Sequence, residues 1–199
     1  MRKFIITFYI LLLSNPVFSN GNGWLDVGGG TNSAVKTLCE FQNLLYAGGA
    51  FVTAGNISSE KIASWDGVVW SSVGGGLNGD VNTLAVFNNE LVAAGNFTIA
   101  GGTVAASNIA KWNGTAWTNL GTGLNGQVFS LMVFNNELYA GGTFTTAGGN
   151  PALNIAKWNG SSWQPVGAGF NTFVRTLTVH NNQLIAGGFF TLSGSVNLG

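Results

Sequence analysis

The phrase NIAKWNGTAWTNLGTGLNG, starting at Asn108, returns almost unchanged as NIAKWNGSSWQPVGAGFNT starting at Asn154. A fixed internal period constrains a fold more tightly than any local propensity, because every repeat must fold alike and bury its apolar face against its neighbours. Two landmarks keep the period. Trp24, Trp70, Trp117 and Trp163 are separated by 46, 47 and 46 residues, and so are Phe51, Phe97, Phe144 and Phe190.

One period reads as four short strands. VFSLMVF and ELYAGGTFT are rich in β-branched and aromatic residues and flank Asn135-Asn136, a pair that tolerates positive φ in a tight turn. NIAKW and AWTNLG flank Asn113-Gly114, a second hairpin signal that places Trp112 opposite Trp117. No stretch after residue 19 sustains apolar spacing of three and four, so no helix is expected. Four strands per 46 residues matches the blade of a β-propeller. The expected fold is therefore an all-β propeller of four-stranded blades.

Residues 1–19 stand apart from this pattern. Arg2 and Lys3 precede an apolar run from Phe4 to Leu13 and then small and turn-forming residues up to Ser19, the layout of a secretory signal peptide. The run falls short of the roughly 20 residues that span a bilayer. Secretion or display at the cell surface follows, with no membrane span once the signal is cleaved. Removing it leaves five basic residues against seven acidic ones, no basin of positive charge for nucleic acid or anionic lipid. In residues 20–199 the register gives three full blades, an N-terminal strand carrying Trp24, and a partial last blade that ends before a third strand. An incomplete propeller has open blade edges, which invite self-association.

VFNNELVAAGNF and VFNNELYAGGTF, followed by IAKWNGTAW and IAKWNGSSW, resemble Kelch-type propeller repeats, in which a glycine pair closes the second strand and a Trp lies on the fourth. Trp65, Trp112 and Trp158 occupy the third strand, where that family more often carries Tyr. The pattern is closer to the repeats of exported bacterial proteins and fungal cell-surface markers. The resemblance implies a propeller outside the cell and implies no particular chemistry.

Catalytic and metal-binding signatures are sparse. His180 is the sole histidine and takes the place of Phe41, Phe87 and Phe134, which reads as a substituted packing position. Cys39, the single cysteine, takes the place of Ala85, Met132 and Thr178, again a packing or spacer position. Asp26, Asp66 and Asp80 are scattered, so neither a metal site nor a catalytic triad is expected. Four Asn-x-Ser/Thr triplets start at Asn56, Asn96, Asn113 and Asn159, two of them at hairpin turns.

No enzyme activity and no cofactor are expected. Two functions remain: a non-catalytic binding module for an extracellular glycan or protein, or a structural spacer within a larger surface protein. For binding, the antiparallel order of strands puts the second connection and the inter-blade link on one face, which holds the longer and more variable segments. On that face Asn32, Asn78, Asn125 and Asn171 recur at one position, as caps of local backbone or as ligand contacts. Glu60, Lys61, Asp80 and Gln127 break the symmetry and complete the candidate site.

Overall fold

A computed structural model of the chain describes residues 27–198. Among them every regular element is a strand, and the 46-residue period appears as a repeated four-stranded antiparallel sheet. The expected signal peptide and the Trp24 strand lie outside the described residues.

In the first repeat β1 (Val35–Phe41), β2 (Leu44–Gly49), β5 (Ile62–Trp65) and β6 (Trp70–Ser72) form the sheet, and β3 (Thr53–Ala54) with β4 (Ile57–Ser58) forms a small separate hairpin. The second repeat follows the same plan with β7 (Asp80–Phe87), β8 (Glu90–Asn96), β11 (Ile109–Trp112) and β12 (Trp117–Asn119) around β9 (Ile99–Ala100) and β10 (Val104–Ala105). In the third, β13 (Val128–Phe134), β14 (Glu137–Gly142), β17 (Ile155–Trp158) and β18 (Trp163–Pro165) surround β15 (Thr146–Ala147) and β16 (Asn150–Pro151). The fourth has β19 (Val174–His180) paired with β20 (Gln183–Gly188), then the small hairpin β21 (Leu192–Ser193) and β22 (Val196–Asn197).

The turns obey the residues that make them. Asn88-Asn89 and Asn135-Asn136 take φ of 49° and 58°, and 49° and 60°, the doubly left-handed geometry that suits a two-residue hairpin. Trp65, Trp112 and Trp158 face Trp70, Trp117 and Trp163 directly across the third and fourth strands, ring centroids 5.2, 5.4 and 5.6 Å apart. The small hairpins are the one regular feature beyond the expected four strands; they fill the second connection, which reads as a loop in sequence.

The first strands of successive repeats lie side by side, β1 against β7, β7 against β13 and β13 against β19. Apolar cores form between consecutive sheets, where Phe51, Phe97 and Phe144 are the largest fully buried side chains. That burial accounts for the second landmark. The Trp pairs couple neighbours: Trp70, Trp117 and Trp163 Nε1 donate to the carbonyls of Val27, Val73 and Leu120, each in the link that precedes its own repeat, at 2.9, 3.1 and 2.9 Å. Gly74 lies so close beneath the Trp112 ring that a Cβ there would come within 2.3 Å of it. A side chain at Gly74 would therefore push the Trp pair off the preceding repeat.

The packing role expected at His180 does not hold. Phe41 and Phe87 are buried by the sheet that follows, whereas His180 is exposed, with no later sheet among the described residues to cover it. Cys39 is half-buried against the core, and burial, aided by the Glu40 charge, pushes its thiol up, which disfavours a reactive thiolate.

Candidate functional site

Each first strand begins with the same words: Val35-Lys36-Thr37-Leu38, Val81-Asn82-Thr83-Leu84, Val128-Phe129-Ser130-Leu131 and Val174-Arg175-Thr176-Leu177. Valine, a hydroxyl and leucine recur, and the second residue is different every time. In all four pairings the register slips between the valine and the hydroxyl residue, so the variable residue is the extra residue of a β-bulge. A bulge turns a side chain out of the alternation of its strand. Here it turns Lys36, Asn82, Phe129 and Arg175 toward one another, and together with Gln127 they line a pocket of about 440 Å³ between the four first strands.

The constant residues build the frame. Val81, Val128 and Val174 are wholly buried. The hydroxyls tie neighbouring first strands together: Thr37 Oγ1 accepts from Leu84 N at 3.1 Å, Thr83 Oγ1 from Leu131 N at 3.2 Å and Ser130 Oγ from Leu177 N at 3.0 Å. Glycine at the end of the second strand makes the bulge possible. A Cβ on Gly142 would lie 2.1 Å from the Gln127 carbonyl oxygen, and Gly49 and Gly95 stand equally close to the oxygens of Ala34 and Asp80.

The variable residues also touch one another. Lys36 Nζ donates to Asp80 Oδ2 at 2.8 Å and to Asn82 Oδ1 at 3.1 Å, and Asn82 Nδ2 donates to the Val128 carbonyl at 2.8 Å. Arg175 lays its guanidinium over the Phe129 ring, 4.5 Å from the centroid, and Phe129 meets Phe173 edge-on at 6.0 Å. The Lys36 ammonium, hydrogen-bonded to Asp80, holds that carboxyl below the usual carboxylate range. Among the described residues no carboxylate pairs with Arg175, and no hydrogen bond engages the Gln127 side-chain amide. One planar cation and one amide are thus left facing the pocket.

The residues singled out in the sequence divide. Gln127 lines this pocket; Asp80 braces it through Lys36; Lys61 Nζ stands 3.7 Å from Asp80 Oδ1 and donates to the Ala50 carbonyl at 3.0 Å. Glu60 belongs elsewhere, with Asn78 and Ile99 around a hollow of about 340 Å³ beside the second link. The four recurrent asparagines serve as caps. Asn32 Oδ1 accepts from Val52 and Thr53 N, Asn78 from Thr98 and Ile99 N, Asn125 from Thr145 and Thr146 N, and Asn171 from Thr191 and Leu192 N, all at 2.8–3.1 Å. Each clamps a link to a small hairpin, which puts links and second connections at one end of the molecule, the end where the bulges lie.

Lys36, Asn82, Phe129 and Arg175 escaped the sequence reading. Their signal was present, a variable position inside an otherwise constant four-residue phrase, but simple alternation gives no sign that this position leaves its strand. Among the described residues no three of His, Cys, Asp and Glu gather as a metal site, and no helix is long and apolar enough to cross a membrane.

No protein-family model and no curated protein matches the chain, so the Kelch resemblance gains no support from them. Among solved structures, the computationally designed Ika4 protein is similar at 16% identity, with a TM-score of 0.52 over 79% of this chain and 87% of that one. The computationally designed Ika8 protein aligns at 17% identity and a TM-score of 0.44, over 79% of this chain and 44% of that one. The first likeness bears on fold alone: a chain of repeated antiparallel β-sheets.

Proposed function

We propose that the repeats are blades of a β-propeller, and that the chain is a secreted or cell-surface binding module, non-catalytic, which holds a glycan or protein ligand at the pocket between its first strands. One observation carries this reading. Four repeats keep valine, hydroxyl and leucine at the start of the first strand and vary only the residue aimed into a shared pocket. A frame that needs only stability has no use for lysine, asparagine, phenylalanine and arginine at one equivalent position. The pocket volume lies in the range of roughly 300–1,000 Å³ common for small-ligand sites.

The spacer reading draws on the small hairpins, which fold alike in every repeat and are capped by the same asparagine. That uniformity moves the expected site from the rim loops to the pocket. The test is binding of the purified protein to glycan and extracellular-protein arrays, beside a variant with Lys36, Phe129 and Arg175 replaced by Asn, the residue of the second repeat. Loss of all array binding with an unchanged melting temperature supports the binding module. A variant that binds as the parent does, or a parent that binds nothing, favours the spacer.

A further inference from the structure

We propose that this pocket takes an acidic saccharide of the hexuronic acid class and that Arg175 clamps its carboxylate. The inference rests on the binding-module reading and narrows it to one ligand chemistry.

Charge defines the class. Four charged side chains stand at or beside the pocket: Lys36, Lys61, Asp80 and Arg175. Asp80 lies within 2.8 Å of one lysine and 3.7 Å of the other, whereas Arg175 has no acidic partner among the described residues. The guanidinium is already stacked on Phe129, so its orientation is fixed before a ligand arrives. A planar cation held in place matches a planar anion of one negative charge through two parallel hydrogen bonds. Lys36 and Lys61 share the single carboxylate of Asp80, so a phosphate monoester dianion is the competing anion, and inorganic phosphate is its probe.

The rest of the lining selects a sugar over a peptide. An extended peptide would bind by pairing with a first strand. The amides of Leu84, Leu131 and Leu177 that would receive it are taken by the hydroxyls of Thr37, Thr83 and Ser130. What remains is the Gln127 amide, which can both donate to and accept from sugar hydroxyls, beside Phe129, whose ring holds the guanidinium.

Isothermal titration of the whole protein tests the proposal with four probes: a hexuronic acid disaccharide, the matching neutral hexose disaccharide, inorganic phosphate and a glutamate-rich peptide. The uronate disaccharide is expected to bind and the others not to. Arg175→Gln is expected to weaken it at least tenfold, about the worth of a charge-assisted hydrogen bond. Asp80→Asn frees Lys36 and is expected to tighten it, which a purely structural role for Asp80 would not do. Equal binding of the neutral disaccharide, preference for phosphate or peptide, or an Arg175→Gln variant of parental affinity each overturns the acidic-saccharide assignment. A probe that does bind, and loses affinity in the triple Asn variant, leaves the binding module standing. If no variant of the pocket changes any binding, both readings fall.

Discussion

Lys61 occupies a backbone position that does not suit it. Its φ is 66°, and at the equivalent positions Asn108 and Asn154 have φ of 64° and 63° and donate through Nδ2 to the Leu124 and Phe170 carbonyls at 2.8 Å. Asparagine tolerates the left-handed region far better than lysine does. Lys61→Asn is therefore expected to raise stability by about 1 kcal/mol, or about 2–4 °C in a thermal melt for a chain of this size. The strained lysine instead donates to the Ala50 carbonyl at 3.0 Å and stands 3.7 Å from Asp80. Asp80 itself gives the second residue-scale prediction. Its carboxyl lies below the ordinary value in the fold, so the stability it lends is present above about pH 4 and is lost as the pH falls through the lowered value. NMR titration of the side-chain carboxyl should show the depression in the parent and its reduction in Lys36→Gln; identical curves would contradict the pairing. At this scale the sequence disclosed the residues whose neighbours in the chain define their task, such as the turn asparagines Asn88-Asn89 and Asn135-Asn136. It hid Lys36 and Arg175, whose direction depends on a register slip against the partner strand, at Gly48-Gly49 and Gly187-Gly188.

The third and fourth strands are short, four and three residues in each of the first three repeats, and an isolated hairpin of that size is marginal in water. Their stability comes from the tryptophans. Trp117 is 4% exposed and hydrogen-bonded to Val73 of the preceding link, while Trp70 is only half-buried. Trp117→Ala is expected to cost about 3–5 kcal/mol, the usual range for a buried large aromatic, and Trp70→Ala clearly less. Chemical denaturation of both variants checks the order; a larger loss at Trp70 would refute the account of how repeats are coupled. These hairpins were legible because Asn-Gly or Asp-Gly turns flanked by paired tryptophans are strong local signals. The small hairpins of the second connection were not. Their strands are two residues long, and they are held by a distant asparagine and by bridges from the links, Leu77 to Ala100 and Leu124 to Ala147, contacts that no window along the chain reveals.

Across the whole molecule the repeated sheets leave two faces without a neighbouring sheet among the described residues. On the first repeat Val35 and Leu38 are exposed, although Val81, Leu84, Val128 and Leu131 at the same positions are buried between sheets. On the fourth, the outer edge of β20 has no third strand, and Val166, Phe170, Leu184, Ala186 and Phe190 line an open apolar groove of about 530 Å³. The three earlier repeats show what fits there. β2, β8 and β14 each pair along this edge with an I-A-x-W strand, and the Trp pair that follows packs on Gly28, Gly74 or Gly121. Gly167, the next in that series, meets nothing within 4 Å of a Cβ placed on it. A peptide spanning residues 154–165 carries that strand and both tryptophans. Added to the protein, it is expected to raise the melting temperature in proportion to the logarithm of its concentration, as a ligand of the folded state must, and to reduce any self-association through the open edge. A peptide with both tryptophans changed to serine keeps the backbone pairing but loses the anchor, and is expected to have little effect. Equal action of the two peptides would mean that edge pairing alone governs association. No action by either would mean that the groove is not the template the other repeats describe.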